Sequence, residues 1–208
     1  MDDWELLEAW RRGDQKSGQK LLKRYLGVLT RFFRNKVKNH EDAADLVSET
    51  MLACTRARQN VRDAGAFRSF LFSCAMNTLR LYYRKKVKRN RELDDFEDIC
   101  VGESEVPLSP TSMIAIRREG QLLVRALRRL PLDQQIALEL THIEGLNGPE
   151  IAELLGVPQQ TIYARLRRGA EKLRKLVAEL AESPDIAEST MTGLQTWAAQ
   201  VRNELSSD

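Results

Sequence analysis

Six side chains in the last third of the chain carry groups that read nucleic acid. Gln160, Thr161, Tyr163, Arg165, Arg167 and Arg168 bring amide, hydroxyl and guanidinium groups together in one short stretch. Guanidinium and amide groups pair bidentately with base edges, and cations pair with phosphates. A second group lies earlier, at Asn77, Arg80, Tyr83, Arg84, Lys85, Lys86 and Lys88. Tyrosines interleaved with Lys and Arg suit a single or partly opened strand, because bases stack while phosphates pair. A solvated basic helix end that complements the helix dipole is the plain alternative. No Ser/His/Asp set, phosphate-cradling Gly loop or metal-ligand cluster is apparent, so no catalytic residue, metal or cofactor is expected. With two histidines and three cysteines lacking CxxC spacing, a zinc site has no support. Cys54 and Cys74 read as small core residues, and Cys100 as a free thiol in a polar loop.

The elements that must carry the first group read as a helix-turn-helix. Pro149 suits a first helical turn. Ile151, Ala152 and Leu155 share a face, Gly156 supplies a left-handed cap, and a long helix begins near Gln159. Its expected buried positions are Ile162 and Leu166. Gln160, Thr161, Tyr163, Arg165, Arg167 and Arg168 are expected outside, in the arrangement a major groove accepts. Helical hairpins with a Gly turn and a solvated basic face are also common. One-sided charge favours nucleic acid: Arg165 to Lys175 holds six basic residues against Glu171 alone.

The 208 residues allow one medium or two small domains, and scarce Gly and Pro point to an all-α fold. Asp2 or Asp3 is expected to cap a short helix ended by Arg11-Arg12-Gly13. A second helix runs from Asp14 to about Lys38, with Asn39 or His40 at its far boundary. A third spans about Glu41 to Arg58, with Ala43, Val47, Met51 and Cys54 inward. A loop from Gln59 to Gly65 leads to a fourth, from Ala66 to about Asn90. Arg80 to Arg91 then carries seven bases and no acid, and Glu92 to Ser112 seven acids and no base. Such block segregation says more than the net charge of +3. The polar stretch from Glu92 to Pro110 reads as a linker, and Thr111 or Ser112 as the cap of the next helix. After Ser183-Pro184, Ser189 or Thr190 is expected to cap a tail helix with Leu194, Trp197, Ala198, Val201 and Leu205 on one stripe. No apolar run reaches membrane length and no signal-peptide pattern opens the chain, so a cytoplasmic protein is expected.

Two separated segments resemble a known family. Ala44-Asp45-Leu46-Val47-Ser48-Glu49, Phe67-Arg68-Ser69-Phe70-Leu71, Ala75-Met76-Asn77 and the basic run are similar to region 2 of bacterial sigma-70 factors. Leu130-Pro131, Glu144-Gly145-Leu146, Glu150-Ile151-Ala152 and Thr161 to Arg168 are similar to region 4. With only a linker between, the chain resembles the extracytoplasmic-function (ECF, group 4) sigma factors. It departs from the usual residues at Ser48, Phe70, Leu81, Asn147-Gly148 and Tyr163-Ala164.

The resemblance implies two helical domains joined by an acidic flexible linker, plus a short C-terminal extension. The implied parts are 1–91 (region 2-like), 92–112 (linker), 113–180 (region 4-like) and 181–208 (extension, with regulation as one reading). It implies a factor, not an enzyme, that binds core RNA polymerase and directs promoter-specific initiation. Asp45, Leu46, Ser48 and Glu49 would meet the β′ clamp, and the β flap is a second implied contact. Asn77, Arg80, Tyr83, Arg84, Lys85, Lys86 and Lys88 would meet the opened −10 element, with 59–65 capturing its upstream edge. Gln160, Thr161, Tyr163, Arg165, Arg167 and Arg168 would meet the −35 element. Promoter DNA and an anti-sigma factor are the other implied partners. A stand-alone helix-turn-helix regulator is the rival, but it leaves the basic-aromatic helix and the acidic linker without a task. A helical enzyme or an inert scaffold fits less well still.

Overall fold

The computed structural model of the chain describes residues 1–61, 63, 66–86, 101 and 118–193. Apart from Val101, the expected linker lies outside these, as do Lys88, Cys100, the Thr111/Ser112 cap and the Leu194 to Leu205 stripe. Among the described residues the structure is helical, without strands. Contacts separate two compact units. One contains Met1–Arg34 and the helices from His40 to Lys86; the other contains Asn35–Asn39 and the helices from Arg118 onward.

Among the described residues the first unit has four helices: α1 (Asp3–Arg11), α2 (Gln15–Arg34), α3 (His40–Ala57) and α4 (Phe67–Lys86). A 3₁₀ turn, Arg58–Asn60, follows α3. Asp2 caps α1 in a reciprocal capping box with Glu5. Leu6, Leu7, Trp10, Leu21, Val61 and Phe67 form a buried cluster. Gly18 of α2 lies directly under the Trp10 indole, where a Cβ would come within 2.5 Å of the ring. That close approach, and the Asp3 carboxylate accepting from Arg24 and Tyr25, fix α1 on α2. Arg11 of α1 reaches the turn after α3. Its Nε donates to the Arg58 carbonyl at 3.1 Å and its Nη2 to the Val61 carbonyl. So α1 steadies the backbone that leads into α4. Phe32 of α2 meets Phe72 of α4 edge-on at 5.3 Å between ring centres. Cys54 of α3 is buried and Cys74 of α4 half-buried, both as free thiols.

The second unit has α5 (Arg118–Arg128), α6 (Leu132–Leu138), α7 (Gly148–Leu155), α8 (Gln159–Leu180) and α9 (Pro184–Thr192). After α6 the chain widens into a π-helical turn, Glu139–Ile143, which the sequence pattern does not show. Leu123, Ala126, Leu127, Leu130, Leu138, Leu173 and Val177 make the core shared by α5, α6 and α8.

The tail corrects one expectation. Ser189 and Thr190 do not start a helix; both lie inside α9, which begins at Pro184 and is capped by Ser183. Pro at the first helical position costs no hydrogen bond, so Ser183-Pro184 is a start signal as well as a stop for α8. Ile186, Ala187 and Met191 pack on the core of the unit, and Ser189 Oγ donates to Glu119 of α5 at 2.8 Å.

Candidate nucleic-acid and polymerase interfaces

The helix-turn-helix forms as its residues dictate. Asn147 caps α7 through a capping box with Glu150, and Pro149 lies in the first turn. Gly156 closes α7 in the left-handed region at φ 70°, where a Cβ would be strained. The chain then turns through Val157-Pro158 into α8. No side chain caps the N-terminus of α8, unlike that of α7.

On α8, Gln160, Tyr163, Arg167 and Arg168 are exposed and Thr161 is half-buried. Tyr163 is 54% exposed, its hydroxyl accepts from Gln159 Nε2 at 2.8 Å, and its ring lies against Gly148 at the start of α7. Arg165 overturns its expected place. It is 3% exposed, and its Nε lies 3.0 Å from Oδ2 of Asp133 on α6, itself buried. The approach is off the N–H axis, so charge attraction holds this pair more than an aligned hydrogen bond. The reason is helical phase. Ile162, Arg165, Gly169, Leu173 and Val177 are the buried positions of α8, spaced by three or four residues. Arg165 therefore ties the recognition helix to α6 and does not face outward.

On α3, Asp45, Ser48 and Glu49 are exposed, but Leu46 is 2% exposed and belongs to the core. The inward stripe is Ala43, Leu46, Val47, Thr50 and Cys54, so Leu46 supports the acidic face from beneath. Met51, expected inward, is half-buried. The Ser48 hydroxyl bonds back to the Ala44 carbonyl at 3.0 Å, which leaves the outward charge of this face to Asp45 and Glu49.

On α4, Asn77, Arg84, Lys85 and Lys86 are exposed and Arg80 and Tyr83 half-buried. Arg80 donates to the Asn77 side-chain carbonyl at 3.3 Å, and Tyr82 and Tyr83 stack edge-on at 5.1 Å. Lys86 is already engaged: its Nζ lies 3.1 Å from Asp42 and 2.5 Å from the Tyr82 hydroxyl, which itself donates to Asp42 at 2.6 Å. The Tyr82 hydrogen bond, then Lys86, hold the Asp42 carboxyl below its ordinary 3.8. Its own bond to the Tyr82 hydroxyl, then Asp42, raise Lys86 above 10.5. Sequence reasoning missed Asp42, Tyr82, Asp133 and Arg11 as partners of these surfaces. For Asp133 the only signal was Arg165's position on the buried stripe.

Among the described residues no group of three or more His, Cys, Asp or Glu could hold a metal, and no helix is long and apolar enough to cross a membrane.

Comparison with known proteins follows the same division. The family model described as "Sigma-70 region 2" matches residues 21–89, and "Sigma-70, region 4" matches residues 120–173. The chain belongs to the sigma-70 family, in its ECF group. It is a promoter-specific transcription initiation factor, and its family is non-enzymatic. Its relatives include the ECF RNA polymerase sigma-E factor of Haemophilus influenzae, 27% identical over 190 residues, covering 86% of this chain and 97% of that protein. The sigma-E factor of Escherichia coli K12 is 27% identical over 185 residues, covering 86% of this chain and 96% of that protein. The fold resembles CnrH in complex with the cytosolic domain of CnrY, with TM-score 0.60 and 23% identity over 87% of this chain and 99% of that one. It also resembles the sigma factor RpoE bound to the anti-sigma factor NepR from Bartonella quintana, with TM-score 0.58 and 25% identity over 76% of this chain and 94% of that one. Neither α1 nor α9 falls within the segments matched by the two family models.

Proposed function

We propose that this sigma factor binds core RNA polymerase through the acidic face of α3, opens the −10 element with α4, and reads the −35 element with α8. The observation that carries the reading is the order of parts: a region 2 bundle and a region 4 helix-turn-helix in one chain, each with its basic face outward. Asp45 and Glu49 meet a basic partner helix on the β′ clamp, with Leu46 as the packing beneath them. The β flap is a second contact of the enzyme. Asn77 and Arg80 lie one turn apart and face the opened strand, while Arg84, Lys85 and Lys88 neutralise phosphates. Lys86 joins them only by leaving Asp42. Gln160, Thr161, Tyr163, Arg167 and Arg168 meet the −35 duplex. The uncapped N-terminus of α8 offers its free N–H groups to a phosphate.

The implied domain limits, 1–91, 92–112, 113–180 and 181–208, belong to this reading, with α9 as part of the region 4 unit. An anti-sigma factor, as bound to RpoE from Bartonella quintana, is the proposed regulatory partner. The protein acts in the cytoplasm, at the nucleoid when bound to polymerase. Reconstituted transcription with purified core on genomic DNA is the test. Discrete start sites that appear only when both components are present support the reading. Specific, tight binding of a palindromic duplex by the free protein would favour a stand-alone regulator instead.

A further inference from the structure

The outward face of α4 holds one side chain that is neither charged nor polar. Leu81 is 52% exposed. It stands four residues after Asn77, three before Arg84 and four before Lys85, all three exposed, so helical geometry places the four side chains on one face. A single exposed leucine is ordinary on a protein surface. The surroundings of this one restrict what it can meet. An apolar protein surface laid over Leu81 would also cover Arg84 and Lys85, and would leave two cations desolvated without partners. Nucleic acid meets both needs, because phosphates pair with the cations while an apolar group of a base meets the leucine.

The division of labour follows from the chemistry of each group. Arg84 and Lys85 on phosphates give affinity with little sequence information. Asn77 is held by Arg80 and can bond a base edge. Leucine makes no hydrogen bond, so the base feature it can discriminate is the thymine 5-methyl group. We propose that Leu81 is a specificity-determining residue of this face and seats against the methyl group of one thymine in the promoter. This rests on the reading that α4 meets promoter DNA.

The test uses holoenzyme reconstituted from core polymerase and the full chain, on a promoter that it opens. Each thymine in the opened region is replaced singly by uracil, which removes the methyl group and leaves the pairing edge intact. The expected result is one position at which uracil weakens open-complex formation roughly three- to fivefold, the worth of one buried methyl group. Leu81→Ala should weaken the thymine promoter by a similar factor and become indifferent to uracil at that position alone. Leu81→Met, still apolar, should keep the preference. Circular dichroism melting of both variants checks that the fold is intact, and Leu81→Gln, polar and of similar length, replaces Leu81→Ala if alanine unfolds. Leu81→Ala holoenzyme that discriminates thymine from uracil as the wild type does would overturn the proposal. A wild-type holoenzyme that opens no promoter would overturn the reading beneath it, and does so before any variant is made.

Discussion

Arg165 and Arg167 are two residues apart on α8 and have opposite fates. Arg165 is buried against Asp133, whereas Arg167 is exposed. Removing one member of a buried ion pair strands the other, at a cost of about 3–5 kcal/mol. Arg165→Ala should therefore lower thermal stability strongly and impair every promoter alike. Arg167→Ala should leave stability within about 0.5 kcal/mol, and should weaken −35 binding by about 1–3 kcal/mol if the contact is bidentate to a base. Chemical denaturation beside a competitive promoter assay separates the two; a stable Arg165→Ala protein with altered promoter choice would return Arg165 to the DNA face. A second residue-scale prediction concerns Asp42. Its carboxyl is depressed below 3.8 in the folded protein, so its contribution is present above that pH and fades as the pH falls through the folded value. Lys86 is raised above 10.5, so its contribution is present below that pH and fades as the pH rises through the folded value. The α3–α4 clasp is thus whole across neutral pH. Tyr82→Phe removes the largest cause, and an NMR titration should show Asp42 moving back up toward 3.8. An unchanged value would mean that the Tyr82 bond does not form.

At the scale of elements, punctuation residues told most in advance and long-range partners least. Pro149, with its fixed φ, and Gly156, which tolerates the left-handed cap, bracket α7, so the helix-turn-helix is legible without any contact. Arg165 misleads because residue type speaks ahead of helical phase, and Leu46 because the family resemblance carries it onto the acidic face. Each falls on a stripe whose other members, Ala43, Val47 and Thr50 or Ile162, Gly169 and Leu173, are buried. Asp133 lies on another helix, so nothing near Arg165 in sequence announces their meeting. The π-turn after α6 likewise comes from packing and not from a local residue signal. Ser183-Pro184 signals a start as well as an end, so α9 opens ahead of the expected Ser189 or Thr190 cap. Its placement now favours a structural role. α9 sets Ile186, Ala187 and Met191 on the core formed by α5 and α8. Deleting everything after Glu182 should expose that surface, cost on the order of a few kcal/mol, and lower the melting temperature and initiation together. Unchanged melting with a clear shift in transcription would instead identify the extension as a regulator.

For the whole molecule the charge is modest and divided. The chain carries 33 Lys and Arg against 30 Asp and Glu, a net +3. The exposed cations proposed for DNA lie in separate units: Arg84 and Lys85 on α4, with Lys86 occupied by Asp42, and Arg167 and Arg168 on α8. Each phosphate neutralised contributes a slope of about −0.9 to the dependence of binding on salt. Either face alone, even with Lys88 added beside Arg84 and Lys85, therefore supports only about two or three contacts and weak, salt-sensitive binding. Core polymerase changes this if it holds both units on one promoter, because the second contact then becomes intramolecular and the two affinities multiply through effective concentration. The free protein should accordingly bind duplex DNA weakly, with a log–log salt slope between about −2 and −3. The holoenzyme should bind its promoter more tightly and with a steeper slope, and Arg84→Ala and Arg167→Ala should each reduce that steepness by about one unit. Filter binding over a salt series, with and without core, measures all of these slopes. Equal slopes for the free protein and the holoenzyme would mean that only one unit engages DNA at a time, and the joint action of α4 and α8 would have to be abandoned.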